Sequence, residues 1–368
     1  MPLSAITAAE ALAQLEAFDT VIDARSPAEY AEDRLPGAVN WPALDDAERA
    51  EVGTRHQQES AFEARKRGAA LVARNIADHL EREMDGKSKD WSPLVYCWRG
   101  GKRSGSLALV LDQIGFRVRV LEGGYREYRR AVVAALETMP ATLAFRVVGG
   151  TTGSGKSRLL KALAARGAQV LDLEALASHR GSVLGLVPGQ PQPSQKAFDS
   201  RIWDALRRFE PARPVFVESE SRKIGDLRVP EALIGRMRAS PCVALELGLE
   251  QRVALLLDEY DFFVREPAAL CARLDALRAL CGHDTVNGWQ AAVRSGHTAE
   301  VVRELLVRHY DPIYRQSMKR NFAAVSEPVL SLAWDGSAAG LGDAAARILA
   351  APLSRLEEEP MAAAAATR

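Results

Sequence analysis

The chain has 368 residues, 47% of them hydrophobic and 26% charged, and Lys plus Arg equals Asp plus Glu at 48 each. That length exceeds one ordinary core, because domains take roughly 100–200 residues, and the composition is that of a globular protein able to fill two cores. The charge balance excludes a whole-molecule attraction to nucleic acid, so a nucleic-acid partner would need a local basic patch.

No apolar run approaches the ~20 residues that span a bilayer. The start, MPLSAITAAEALAQL, lacks the basic flank and apolar centre of a signal peptide, and a cytoplasmic location with no membrane partner is the expectation. Cys97, Cys242, Cys271 and Cys281 stand far apart with no CxxC pair. That spacing supports neither a disulfide framework nor a zinc site, and leaves a reactive thiol as the chemistry open to a cysteine.

Residues 1–135 alternate short apolar strands, Thr20–Ala24, Leu94–Cys97 and Val118–Leu121, with helical stretches, the pattern of a parallel sheet covered by helices. The strand PLVYC runs into WRGGKRSG and then an amphipathic helix. This puts the Cys97 thiol at the carboxyl end of a parallel strand, beneath a helix N-terminus. The helix dipole, N–H groups turned inward by Gly100 and Gly101, and the cations Arg99, Lys102 and Arg103 all favour a thiolate. The same loop, Trp98 to Ser104, would cradle a tetrahedral oxyanion against the sulfur. A lone cysteine at a strand end is commonly just a small buried residue; three cations and two glycines within six positions tip the reading to function.

The helical AVVAALETMPAT, ending near Pro140, separates this region from a second strand series beginning at Leu143: LAFRVVGG, QVLDLE, PVFVES and CVALEL. Directly after FRVVG comes GTTGSGKS, in which Gly150, Gly155, Lys156 and Ser157 satisfy G-x-x-x-x-G-K-S between a strand and a helix. Loop N–H groups from Gly150 through Thr151, Thr152, Gly153, Ser154 and Gly155 would wrap a diphosphate, Lys156 would neutralise it, and the Ser157 hydroxyl could join a magnesium shell. Glu218 and Asp172, each at a predicted strand end, form a candidate acidic rim, with a plain solvated strand end the equal alternative for either. Nothing here specifies a nucleoside. From about Ala244 the chain turns mainly helical, and residues 353–368 are expected to be a poorly ordered tail.

The fold expected is therefore α/β throughout, with a parallel-sheet domain over 1–135 and a P-loop domain with a helical extension over 136–352. The first segment resembles a rhodanese domain, through DARSPAEY (Asp23–Tyr30), RLPGAVN (Arg34–Asn40), the cysteine loop and LEGGYREYR (Leu121–Arg129). Five residues separate Cys97 from Arg103. The resemblance makes that loop one residue longer than the sulfur-carrying kind and equal to that of phosphatase-like relatives, and such a loop could admit a phosphate or selenophosphate. Deleting Gly101 tests this.

A rhodanese-like domain followed by a P-loop domain resembles the tRNA 2-selenouridine synthases. Further stretches are similar to that family: Trp41–Thr54, Ala177–Gly185, Val217–Gly225 and Leu255–Phe263. The resemblance implies an exchange on tRNA already carrying 2-thiouridine at the wobble position, in the Lys, Glu and Gln acceptors, with selenophosphate from a supplying enzyme. Geranyl diphosphate first alkylates the sulfur, and selenium then displaces the geranylated thiol. It also implies that Cys97 takes selenium, as a selenylsulfide, while Arg99, Lys102 and Arg103 hold phosphate, and that Lys156, Ser157 and the loop amides stabilise departing diphosphate. Candidate tRNA contacts are His179, Arg180, Arg222, Lys223 and Arg315, with Tyr310 and Tyr314 for stacking; a solvated helix face competes for each. The run EYDFFV reads as core rather than as a prenyl pocket. Two other readings remain: a sulfurtransferase fused to an ATP-dependent hydrolase or kinase, and a redox or anion sensor.

Overall fold

Short runs rich in Val, Ile and Leu, each followed by a helix, fold as parallel strands because the crossover helices cover both faces. The computed structural model describes residues 3–181, 185, 189–322 and 328–351; the expected tail over 353–368 lies outside them. The chain divides into two units. The first comprises Met1–Glu137 with Pro193–Asp204, and the second Thr138–Gln192 with the chain from Ala205 on.

The first unit carries β1 (Ala5–Ile6), β2 (Thr20–Asp23), β3 (Ala38–Asn40), β4 (Pro93–Tyr96) and β5 (Arg119–Leu121). All are parallel, in the order β1-β5-β4-β2-β3, so β4 is the middle strand. β1 and β3 are two and three residues long and escape the sequence reading, which needs longer runs. Ile22, Val95, Leu107, Ala108 and Leu111 fill the core beneath the Lys102–Ile114 helix. The segment Pro193–Asp204, remote in sequence, joins this unit through specific contacts: Arg129 pairs with Asp199 at 2.6 Å, Ser200 Oγ donates to Asp33 Oδ2 at 3.0 Å, and Trp203 packs edge-on against Tyr128.

The second unit carries β6 (Phe145–Gly149), β7 (Gln169–Leu171), β8 (Val215–Glu218), a small antiparallel hairpin of β9 (Lys223–Ile224) and β10 (Leu227–Arg228), then β11 (Cys242–Glu246) and β12 (Leu330–Ala333). The main sheet is parallel in the order β12-β11-β6-β8-β7. β6 is central, and the chain first fills one side of it with β7 and β8, then crosses to the other with β11. Such a switch point opens a crevice at the carboxyl ends of the strands. Beyond β11 a helical bundle has its own core, built from Phe263, Leu274, Val286, Trp289 and Val293 among others.

Candidate functional site

Cys97 follows the last residue of β4, and the chain turns through Trp98–Gly101 into the Lys102–Ile114 helix. The turn is held from outside. Tyr125 N donates to Cys97 O at 2.8 Å, Arg126 N donates to Trp98 O at 3.2 Å, and the Trp98 ring stacks on Tyr125. Gly124, at φ +61°, must be glycine, because a Cβ there would lie 2.2 Å from Cys97 O and 2.5 Å from Gly100 N. Behind the loop, Arg25 forms a buried pair with Asp23, which also accepts from Tyr96 Oη at 2.7 Å.

The Cys97 thiol is 3% exposed. Burial pushes it up, but donors to the sulfur, above all Ser104 and then the backbone N–H groups of Gly101 and Arg99, bring it below the ordinary thiol value. Gly101 N lies 3.3 Å and Ser104 Oγ 3.1 Å from Sγ. Of the three cations expected around the thiol, Arg103 is committed to Glu29 at 2.6 Å, while Arg99 and Lys102 are exposed at the mouth. The contacts that stabilise the sulfur are thus hydrogen bonds.

The second site hangs from the carboxyl end of β6, where Gly150–Gly155 lead into the Lys156–Ala164 helix. Gly155 sits at φ +90°, with Trp334 closing over it, and Trp334 Nε1 donates to Ser154 O at 2.9 Å. Lys156 Nζ donates to Gly150 O at 2.8 Å. Gly150 N donates to Tyr314 Oη at 2.7 Å, and Arg252 Nε donates to Thr152 O at 2.9 Å while its guanidinium pairs with buried Asp311. Tyr314 therefore stands inside the phosphate loop, a position that nothing in its helical sequence context signals.

Three carboxylates face this loop. Oxygens of Glu174, Glu218 and Glu220 lie within 4.8 Å of one another. Ser157 Oγ donates to Glu174 at 3.0 Å, and Glu174 N donates to Glu218 Oε1 at 3.2 Å. Glu218 is fully buried, and its Oε2 has no hydrogen-bond partner among the described residues. Burial first, then mutual repulsion, pushes Glu174 up to about 8 and Glu218 well above the carboxylate range; burial raises Glu220 as well. Asp172 lines the same cavity but caps the Leu173–Ala177 helix, accepting from Ala175 N at 2.8 Å. Glu174 and Glu220 were not singled out in the sequence. The available signal was parity, since Glu218 and Glu220 are two apart at a strand end.

A cavity of about 660 Å³ joins Lys156, Ser157, Glu174 and Glu220 to Tyr314, and His179 and Arg180 line it too. His179 Nδ1 accepts from Gly181 N at 3.1 Å, and Arg180 lies over the Tyr260 ring at 4.6 Å; residues 182–184 of that segment fall outside the described ones. Arg222 and Lys223 are exposed and pair with Glu231 and Asp226, and Arg315 is exposed. Next to this cavity is a narrow apolar one of about 60 Å³, which Tyr260, Phe263 and Val264 of the EYDFFV run help to line. Phe263 also belongs to the helical core.

Known proteins resemble both regions. A family model described as a tRNA 2-selenouridine synthase AAA domain matches residues 143–280, and one described as a rhodanese-like domain matches 7–131. Curated tRNA 2-selenouridine synthases are similar over longer stretches. That of Nitrosomonas europaea is 35% identical over 244 residues, 65% of this chain and 63% of its own. That of Marinobacter nauticus is 35% identical over 243 residues, 65% of each. That of Shewanella halifaxensis is 30% identical over 330 residues, 82% of this chain and 89% of its own. The matches to the first two thus span just under two thirds of those relatives.

Proposed function

Because this chain belongs to the tRNA 2-selenouridine synthase family, we propose that it converts 2-thiouridine in tRNA to 2-selenouridine, and that it does so through an S-geranylated base. The observation that carries the reading is the presence, in one chain, of a hydrogen-bond-stabilised thiol in an anion-shaped loop and a phosphate loop that adjoins an apolar pocket rather than a nucleoside signature. In the first step the thiocarbonyl sulfur attacks C1 of geranyl diphosphate. The S–C1 bond forms as the C1–O bond breaks, the electron pair leaves on diphosphate, and the N3 proton is released. Lys156, Ser157 and the loop amides answer the charge that develops on the leaving diphosphate.

The donor set of Glu174, Glu218, Glu220 and the Ser157 hydroxyl suits a magnesium ion, which would partner the buried Glu218 oxygen and relieve the crowding of the carboxylates. Bound there, magnesium would neutralise diphosphate.

Alkylation turns a poor leaving group into a thiol. Selenophosphate places its tetrahedral head against the loop amides and the exposed Arg99 and Lys102, and the Cys97 thiolate attacks its phosphorus: the S–P bond forms as the P–Se bond breaks, the electron pair leaves on hydroselenide, and water then hydrolyses the S–P bond to give phosphate and the free thiol. Hydroselenide then adds at C2, geranylthiolate leaves, and the selenium's proton passes to N3. The supplying enzyme, the Lys, Glu and Gln acceptors, and tRNA contacts at His179, Arg180, Arg222, Lys223 and Arg315 belong to the same proposal.

Nucleoside mass spectrometry on 2-thiouridine tRNA, incubated with the protein, geranyl diphosphate and selenophosphate, tests it. Wild type is expected to yield 2-selenouridine, Cys97→Ala to stop at the geranylated base, and Lys156→Ala to leave thiouridine. Unchanged thiouridine with wild type, together with Lys156-dependent ATP turnover, would favour the sulfurtransferase–NTPase alternative.

A further inference from the structure

Tyr314 meets the phosphate loop at its strand end. Its Oη accepts from Gly150 N at 2.7 Å and shares a hydrogen bond with Ser219 Oγ at 3.3 Å, while the Lys156 ammonium lies 5.7 Å from the centre of its ring. Gly150 follows β6 and Ser219 follows β8, and these two strands pair side by side. One phenol thus bridges the carboxyl ends of the strands from which the loop and the acidic cluster hang. The half-buried ring and Ser219 both line the cavity of about 660 Å³ that holds Lys156.

The helix that carries the ring is fastened to the loop a second time. Tyr314 stands three residues after Asp311 in the Asp311–Asn321 helix, so the two side chains share one face. Asp311 accepts from both terminal nitrogens of Arg252, at 3.0 and 2.6 Å, and Arg252 Nε donates to Thr152 O. One helix face therefore reaches Thr152 through Arg252 and Gly150 through Tyr314. A π turn over Leu306–Tyr310 precedes this helix, and such turns recur at functional sites.

A phosphate chain on this loop has a direction. One phosphoryl group sits on the N–H groups that open the Lys156–Ala164 helix, where the helix dipole favours an anion, and the next lies within reach of Lys156. A third would extend toward the strand ends, to Gly150 N and Ser219. Tyr314 fills that place with ring carbon and takes the Gly150 N–H for itself. A clash and a donor already engaged are the means by which a site rejects an alternative ligand.

We propose that Tyr314 limits this loop to a diphosphate, barring a third phosphoryl group and with it nucleoside triphosphates. The inference rests on the phosphate-loop part of the proposed function and is indifferent to what the diphosphate carries. It also ties the distinction from an ATP-dependent hydrolase or kinase to one named side chain.

Calorimetry on the full chain in magnesium buffer tests it, with inorganic diphosphate and tripolyphosphate as probes and the ratio of their dissociation constants as the readout. A general weakening of the loop cancels in that ratio. Charge alone favours the longer, more highly charged chain, so a wild type that binds diphosphate about tenfold or more tighter is the mark of exclusion. Tyr314→Ala removes the ring, keeps the three glutamates, and should move the ratio toward tripolyphosphate by about tenfold or more. Tyr314→Leu, which keeps carbon on the helix face but falls short of Gly150, should move it the same way, and carries the test if the alanine variant does not fold. A wild type that prefers tripolyphosphate, or folded variants that keep the wild-type ratio, would overturn the inference and leave diphosphate binding standing. A wild type that binds neither probe would overturn the phosphate-loop reading itself, and this inference with it.

Discussion

Around Cys97 the buried and half-buried charged groups are already answered. Arg103 faces Glu29, Arg25 faces Asp23, and Asp33, though burial raises it, accepts from Tyr125 and Ser200. Around Lys156 they are not. Three glutamates crowd one another, and one buried oxygen has no partner among the described residues. Both loops hang from the carboxyl end of a middle strand, so topology does not account for the contrast. The buried shell behind the first loop is completed by the protein itself, leaving the exposed Arg99 and Lys102 for an anion, whereas the second loop keeps buried carboxylates that protons or a bound cation must resolve.

If the first region is complete in this sense, breaking its partnerships should be the most damaging change. Arg25→Ala leaves Asp23 and Tyr96 buried beside an unanswered charge, and should cost about 3–5 kcal/mol of unfolding free energy in denaturant titration. A loss below about 1 kcal/mol would mean that water reaches Asp23 and that the pocket behind the loop is looser than its 0% exposure implies. Gly124→Ala comes next. Its Cβ must displace Cys97 O and Gly100 N at a left-handed backbone position, so a loss of about 1–3 kcal/mol should accompany a fall in Cys97 alkylation.

The second region should respond with the opposite sign. An acid raised in the folded state stabilises fully below its unfolded value, near 4.5, and that contribution is lost as pH climbs through about 8. In metal-free buffer wild type should therefore lose thermal stability between those limits. Glu174→Gln should flatten the decline and gain on the order of 1–2 kcal/mol at pH 8. Magnesium should stabilise wild type more than the variant. A wild type already flat in metal-free buffer would mean that the three carboxylates are not crowded in solution, and would erase the contrast.

The same contrast marks what could be read from the chain. Both loops were legible because their chemistry is contiguous: Cys97 with Gly100 and Gly101, and Gly150 through Ser157, each between a strand and a helix. Partners recruited across the sequence were not. Ser200 reaches Asp33 from 167 residues away, and Tyr314 reaches Gly150 from 164. Asp172 drew notice as a strand-end acid, yet helix capping occupies one of its oxygens and Glu174, two residues on, faces Ser157. The apolar pocket was hidden for a related reason, since EYDFFV has the composition of a core segment and Phe263 is one, while also lining the cavity. Composition reports burial, and it does not report what lies on the other side of the side chain.

The finest test separates two ways of making a thiolate. Cations near Cys97 would act through space and weaken with salt, whereas donors to the sulfur act at contact. Ser104→Ala removes the 3.1 Å hydroxyl contact and keeps every charge. A neutral hydrogen bond is worth about 1 kcal/mol, so the thiol should rise by roughly 0.7 of a pH unit, and alkylation at neutral pH should slow by about threefold to fivefold. The readout is the pH–rate profile of iodoacetamide labelling at Cys97, followed by peptide mass spectrometry. Cys242, pushed up to about 12 by burial, serves as an unreactive internal reference. A profile that shifts in Ser104→Ala and is indifferent to salt assigns the sulfur's stabilisation to the hydrogen bonds. One that stays put in the variant but moves with salt returns it to Arg99 and Lys102, and makes the two loops alike in depending on charge.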